Sequence, residues 1–338
     1  LSDRFGRRPV VLLSNLGLGL DYIFMALAPN VTWLFVGRAI SGIASSSFST
    51  AGAYITDVTP PERRAAGFGM IGAAFGLGFV LGPAVGGLLG VIDPRLPFWG
   101  AAATSLVNAC YGFFVLPESL PREKRRAFAW KRANPVGSLV LLRSHRELFS
   151  LAAVVFIGYL AHAILPSVAV LYVSYRYGWD ATAVGFMLAG SGVSTMLVQG
   201  VLIKPLTMWF GERRTLLAGL VCGAIGFSIY GFAPNGWIYC AGIPVMAFWG
   251  MAGPSAQFFM TRRVSASEQG QLQGAIASLS GIAGLIGPSL FTQTFAFFIR
   301  SDSSLSTSLH FPGAPFFLAS VLLLLAMALA WRATRSAD

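Results

Sequence analysis

Ten stretches of this 338-residue chain are each long and apolar enough to cross about 30 Å of hydrocarbon, which leaves few folds open. Lipid offers no partner to a backbone N–H or C=O, so such segments must satisfy their own groups as helices. The stretches lie near Val10 to Ala28, Thr32 to Ile55, Ala65 to Val91, Phe98 to Leu116, Leu148 to Ser174, Thr182 to Ile203, Thr215 to Ala233, Trp237 to Met260, Gln271 to Phe298 and Ala314 to Trp331. Residues are 55% hydrophobic and 11% charged, a balance that a water-soluble domain of this size could not bury. The expected class is an all-α membrane protein.

The apolar pattern is also repeated. Phe5-Gly6-Arg7-Arg8 returns as Phe210-Gly211-Glu212-Arg213, Ala28-Pro29-Asn30 as Ala233-Pro234-Asn235, Gly69 as Gly274, and Gly82-Pro83 as Gly287-Pro288, always 205 positions later. An ungapped match of turn and breaker residues over roughly 80 residues indicates two homologous halves, an organisation found in secondary transporters. By the same offset Leu1 matches Leu206, well inside the second half. The expectation is therefore ten of twelve transmembrane helices, with about two helices' worth of sequence missing from the first half. The expected organisation is an N-terminal half-bundle over residues 1–117, a basic linker over 118–146 and a six-helix C-terminal half-bundle over 147–338.

The net charge of +11 would suit nucleic acid, but its distribution sets orientation instead. Of the 24 Lys and Arg residues, only Arg95, Arg176 and Arg300 fall on one side of the spans, and Arg38 lies within a helix. The rest share the opposite side, which the positive-inside rule makes cytoplasmic, together with the C-terminus. No nucleic-acid partner is expected. The run from Arg122 to Arg132, flanked by Pro117, Pro121 and Pro135, reads as a solvated linker or as an amphipathic segment on anionic lipid. Cys110, Cys222 and Cys240 stand in apolar segments and read as small packing residues.

Two motifs resemble the major facilitator transporters. Asp3-Arg4-Phe5-Gly6-Arg7-Arg8 is similar to their loop motif after the second helix, a tight glycine turn whose acid and arginines latch neighbouring helix ends. Gly78-x-x-x-Gly82-Pro83-x-x-Gly86-Gly87 resembles the fifth-helix motif of drug:proton antiporters, a glycine stripe that lets backbones approach, with a proline that bends the helix. Within that superfamily, Gly19-Leu20-Asp21-Tyr22, Ala51-Gly52-Ala53-Tyr54-Ile55-Thr56-Asp57, Trp179-Asp180-Ala181-Thr182 and Gly270-Gln271-Leu272-Gln273-Gly274 resemble the tetracycline-resistance efflux proteins. The resemblance implies a major facilitator fold of two pseudo-symmetric bundles around a central cavity. It also implies an antiporter of the bacterial inner membrane that exports a small amphipathic drug, as a metal chelate, in exchange for protons. One departure stands out: the family carries an acid in the ninth helix, where Leu220-Val221-Cys222-Gly223-Ala224 has none.

Charges within lipid are costly, so Asp21 and Arg38 are informative. Asp21 reads as a proton or substrate carboxylate, or as a structural acid satisfied by neighbouring helices or by Arg38. Arg38 resembles the family's fourth-helix arginine of proton coupling; the other reading is a helix-end anchor. Asn108, Tyr159, His162, Gln199 and Gln257 are candidate pocket groups, with Phe156, Phe186, Phe248 and Trp249 as walls. Taken singly, each polar group also reads as an interhelical hydrogen bond.

Other chemistry finds no support. Gly67-x-Gly69-x-x-Gly72 matches a dinucleotide fingerprint but follows no strand. His145, His162 and His310 lack metal-ligand spacing, and neither a Walker loop nor a nucleophile elbow occurs. No catalytic residue, metal site or cofactor is expected. A membrane-embedded enzyme is the competing class, and a transporter of a different metabolite or a multidrug exporter is the alternative within transport.

Overall fold

Helices run where the apolar stretches are. The computed structural model describes residues 2–44, 47–60, 74, 77–78, 81–82, 85–125, 141–142, 146–264, 269–300 and 310–335, and divides into two compact units, Leu1–Trp130 and Lys131–Asp338. The first contains α1 (Arg7–Leu27), α2 (Val31–Ala44), α3 (Ser47–Val58) and α4 (Leu96–Val115), with residues 85–92 also helical. The second contains α5 (Arg146–His162), α6 (Val170–Tyr177), α7 (Ala181–Leu197), α8 (Ile203–Phe232), α9 (Gly236–Ala247), α10 (Ala252–Thr261), α11 (Gln269–Ile299) and α12 (Ala314–Ala333). Several of these are pieces of one span: α5 passes into α6 through a π-helical turn at Leu165–Ala169, and α9 into α10 through a 3₁₀ turn at Phe248–Met251. Most of the expected span Ala65–Val91 lies outside the described residues.

The repeat seen in sequence is a repeat of backbone geometry. Gly6 has φ 102° and ψ 160°, and Gly211 has φ 77° and ψ 161°, a combination essentially confined to glycine. Each ends a short helical run and begins a new one, so the chain turns at both places without leaving helical structure for long. At the other end of each span, Ala28 and Ala233 leave the helix at nearly the same dihedrals, φ −57° and ψ 124° against φ −50° and ψ 115°. Asn30 Oδ1 then accepts from Trp33 N at 3.3 Å, and Asn235 Oδ1 from Ile238 N at 3.0 Å. Both asparagines therefore start the next helix by satisfying a donor of its first turn. Even the freed carbonyls have matching partners: Arg95 donates to Ala28 O, and Arg176 to Ala233 O.

Packing between the helices uses small residues, since lipid gives no hydrophobic drive for helices to associate. α1 packs on α4, α2 and α3, and its buried positions Ser14, Asp21 and Met25 repeat at helical spacing on one face. Gly19 brings α1 against α4, where an added Cβ would lie 2.7 Å from Leu106 Cδ2. In the second unit α12 lies against α8 and α5 along Ala319, Leu323, Ala326 and Ala330, all fully buried. Ser320 Oγ donates to Ala224 O at 2.9 Å and lies 3.0 Å from Ser228 Oγ, tying α12 to α8. An aromatic cluster closes one end of this unit: Tyr230 and Tyr239 stack at 4.1 Å, and Tyr172 donates its hydroxyl proton to Tyr230 O at 2.9 Å.

The two glycine turns differ in their surroundings, and that difference sets an expectation. A Cβ on Gly6 would collide with the Glu118 carboxylate, whereas a Cβ on Gly211 would meet nothing within 4 Å. Gly211→Ala should therefore cost only the backbone strain, about 1–3 kcal/mol. Gly6→Ala should cost more, because it adds displacement of Glu118. Thermal unfolding of the two variants in the same detergent checks the order.

Candidate functional site

Three groups of polar side chains stand out against this apolar background. The first gathers around the loop motif. Arg7 Nε donates to Asp57 Oδ2 at 3.0 Å, joining the start of α1 to the end of α3, and Arg7 Nη1 donates to Ser2 Oγ. Glu118, just past α4, accepts from Arg7 N at 2.8 Å and Leu120 N at 3.0 Å, and lies 3.5 Å from Arg125 Nη2. Ser119 Oγ donates to Asp57 as well, and Arg8 Nη2 donates to Phe113 O at 2.6 Å in the last turn of α4. Helix C-termini favour cations, so Arg8 is well placed there. Of the other motif residues, Arg4 is exposed, and the Asp3 side chain lies outside what the structure describes.

Glu118 is the acid at the centre of this group. Burial works against its ionisation, but the N–H groups of Leu120, Arg7 and Arg8 and the charge of Arg125 outweigh burial and hold its pKa below the ordinary glutamate value. Neither Asp57 nor Glu118 was singled out as a partner from sequence. The signal available was positional: Asp57 is the acid at the end of α3, and Glu118 stands between Pro117 and Pro121 at a helix exit.

The second group is Asp21 and Arg38. Asp21 is 3% exposed in the middle of α1, and neither of its carboxylate oxygens has a hydrogen-bond partner among the described residues. It faces α2 at Gly37, where an added Cβ would lie 3.4 Å from Asp21 Oδ1. Arg38, the next residue on α2, is exposed, and the structure shows no ion pair between the two. The acid is buried and the arginine exposed.

The third group belongs to the second unit. His162 closes α5, and its ring centroid lies 5.8 Å from that of Trp249 in the Phe248–Met251 turn. Trp249 also packs on Phe227 of α8 at 5.4 Å and lies over Gly223, where an added Cβ would meet the indole Cγ at 2.7 Å. Gln199 stands in a π-helical turn, Val198–Leu202, with its Nε2 over Gly250, 2.6 Å from where a Cβ would be. His162 and Gln199 thus converge on one turn. Tyr159 lies one turn before His162 on α5, whereas Gln257 is exposed on α10 and Asn108 is on α4 of the other unit.

The antiporter motif is only partly described. Gly78, Gly82 and Gly86 are helical, and among the described residues no atom comes within 4 Å of a Cβ placed on any of them. Gly87 is half-buried in the same helical run, and Pro83 lies outside the described residues. The close approach that the stripe permits is made instead by its counterpart, Gly287 on α11, which abuts Ala163 beside His162. No group of three or more His, Cys, Asp or Glu able to hold a metal ion occurs among the described residues.

Long apolar helices, a backbone repeat and a few polar groups within the spans define a secondary transporter. The family model described as Major Facilitator Superfamily matches residues 1–288, and the chain belongs to that superfamily. It is 38% identical over 88% of its length to tetracycline resistance protein class C of Escherichia coli, covering 74% of that protein. It is also 38% identical to the class D protein of Salmonella ordonez, with 87% of this chain and 74% of that one matched. Among solved structures, the human organic anion transporter MFSD10 superposes with a TM-score of 0.71 at 24% identity, over 97% of this chain and 78% of that one. The nucleoside transporter NupG superposes with a TM-score of 0.79 at 13% identity, over 98% and 85%. These two establish the fold. The protein is a transporter and not an enzyme.

The loop group gives a pH expectation. A carboxyl group whose folded pKa is depressed contributes stability above its unfolded pKa, and that contribution is lost as pH falls through the folded value. The unfolding midpoint of the wild-type protein should therefore decline as pH drops below the ordinary glutamate range. Glu118→Gln should start lower at neutral pH and show a shallower decline, measured by thermal scans across pH 3 to 7 at about those limits.

Proposed function

We propose that this protein is a proton-coupled exporter of a small amphipathic drug, with tetracycline, carried as its magnesium chelate, the leading substrate. It acts in the bacterial inner membrane with the loop motif and the C-terminus cytoplasmic, following the distribution of basic residues. Residues 1–117 and 147–338 act as the two half-bundles, with 118–146 as the linker between them.

The observation that carries this reading is Asp21, a carboxylate buried in a spanning helix with no hydrogen-bond partner for either oxygen among the described residues. Such a group is costly and finds its use in moving protons or holding a cationic group. Arg38, one residue beyond the glycine that faces Asp21, supplies a positive charge on the neighbouring helix. Movement of α2 against α1 would bring that charge nearer to or further from the acid, favouring release or uptake of its proton. The similarity to tetracycline resistance proteins supports the substrate class. A wider multidrug range is the second reading, favoured by the absence of an acid along Leu220 to Ala224.

Everted membrane vesicles test it. An imposed proton gradient should drive uptake of magnesium–tetracycline, and collapse of that gradient should abolish uptake. Asp21→Asn keeps the shape and loses the titratable charge, so uptake should fall to background while the amount of protein in the membrane is unchanged. Wild-type rates in Asp21→Asn would remove the residue from the mechanism. Uptake of ethidium but not of tetracycline would move the protein to multidrug export.

A further inference from the structure

Two breaks in regular helix geometry, Val198–Leu202 and Phe248–Met251, pack on each other in the second unit, a third follows His162, whose ring reaches Trp249, and each has a proline behind it. Proline has no N–H to give to the carbonyl four residues earlier. Pro166 therefore deprives the carbonyl of His162, Pro205 that of Val201, and Pro254 that of Gly250. The chain responds with π-helical turns at Leu165–Ala169 and Val198–Leu202 and a 3₁₀ turn at Phe248–Met251. Irregular turns of this kind are frequent at functional sites, and in transporters broken helices expose backbone acceptors to a ligand. Around these turns stand the imidazole of His162, the amide of Gln199 and the indole of Trp249.

His162 and Gln199 are exposed, and neither side chain has a hydrogen-bond partner among the described residues. Trp249 is half-buried, packed against Gly223 and Phe227, and its ring is tilted by 42° to that of His162. An imidazolium within about 6 Å of an indole centroid is stabilised by the ring quadrupole. Here the separation is 5.8 Å.

We propose that His162, Trp249 and Gln199 form a site at which a proton on His162 and a planar, hydrogen-bonding substrate compete for the face of Trp249. The proposal rests on the export function above and gives that function a second proton site, in the C-terminal unit. With His162 protonated, the imidazolium occupies the indole face. A planar conjugated substrate stacks on the same face, Gln199 hydrogen-bonds its oxygens, and the imidazolium, losing its aromatic partner, gives its proton to water.

Few other ionisable groups complicate this. Of the elements packed against α5, α10 and α11 contain no Asp, Glu, Lys, Arg or His, and the sole such group on α12 is Arg332 in its last turn. The Phe248–Met251 and Val198–Leu202 turns also have none. On α5 itself Tyr159 is one turn away, and Arg146 and Glu147 are roughly 22 Å distant at about 1.5 Å per residue. α8, packed on both of those turns, adds Cys222, next to the Gly223 that supports Trp249, with Tyr230 about two turns further on and Lys204, Glu212, Arg213 and Arg214 toward its start.

Two measurements on the whole chain in lipid nanodiscs test the proposal. In the first, without substrate, ¹³C-labelled histidines are titrated by NMR, with His162 assigned by its loss in His162→Gln. Trp249→Leu should lower the His162 midpoint by about half a unit, the equivalent of a cation–π contact of about 0.5–1 kcal/mol, and Trp249→Phe should fall between. An unchanged midpoint in a folded Trp249→Leu protein overturns the pairing. In the second, magnesium–tetracycline and ethidium are bound at a series of pH values. Below the His162 midpoint, affinity in wild type should weaken by about threefold in total relative to His162→Gln, the same half unit seen from the binding side, and comparison with that variant cancels ionisation of the drug itself. Binding with the same pH slope in both proteins overturns the competition and leaves drug export standing. Failure of both probes to bind overturns the drug-export reading and the competition together, while the substrate-free titration still decides the His162–Trp249 pairing.

Discussion

Helix contacts made through missing Cβ atoms hold most of the polar groups in position. Between membrane helices there is no hydrophobic gain to be had from burial, so contact distance and interhelical hydrogen bonds decide which surfaces meet. Gly37 admits Asp21, Gly223 admits Trp249 and Gly250 admits Gln199. At Gly223 and Gly250 a side chain that carries chemistry occupies the space that a Cβ would fill, and at Gly37 Met25 does so with Asp21 in contact beside it. The position of the group and the packing of the helix are therefore one interaction, and a substitution at the glycine disturbs both. Gly226, against Met246, shows the same device used for packing alone.

Hydrocarbon imposes a second constraint, on the backbone. A helix broken in lipid exposes carbonyls that must find other partners or line a polar cavity. Apart from the turn at Gly211, the breaks within described helices of the second unit lie beside His162, Gln199 and Gly250. The α12 helix, whose face along Ala319 to Ala330 is fully buried, has no such break. In this unit regular helices form the frame, and irregular ones carry His162 and Gln199.

Much of the frame was legible in the sequence. Residues that do one local job, such as Gly6, Gly211, Asn30 and Asn235, announce their geometry because few residue types can take their place. Span positions followed from apolar length, and α4 and α12 begin and end within two residues of the stretches that suggested them. The partners of the loop arginines were not legible: Asp57 and Glu118 lie 50 and 111 residues from Arg7, and no local pattern joins them. Facing direction was also hidden. Helices apolar all round have no polar face to fix their rotation, so nothing in the sequence told that Asp21 turns inward while Arg38 stays exposed. The three helix breaks had a readable cue in Pro166, Pro205 and Pro254, but the approach of His162 and Gln199 to the Phe248–Met251 turn is a property of packing.

The repeat also shows where the halves have diverged. By the 205-residue offset, Arg7 and Asp57 correspond to Glu212 and Arg262, so the charges of the pair are exchanged. In the first unit the pair is closed at 3.0 Å. In the second, Glu212 has no ion-pair partner among the described residues, and Arg262 lies over Phe258 instead. The clamp on the last helix is nevertheless retained by neighbouring arginines. Arg213, the counterpart of Arg8, donates to Thr334 Oγ1 and covers Trp331, while Arg263 donates to Ala333 O. Both units thus fasten an arginine from the glycine turn to the end of their final helix. The first adds a closed ion pair, Arg7 to Asp57, between the turn and a third helix, with Glu118 and Arg125 around it. The backbone device is common to both halves because glycine stereochemistry leaves little freedom, whereas surface ion pairs are worth little individually and are free to change sign, open or close. Conformational asymmetry between the halves can therefore be built from side chains alone, on turns whose dihedral angles are nearly the same.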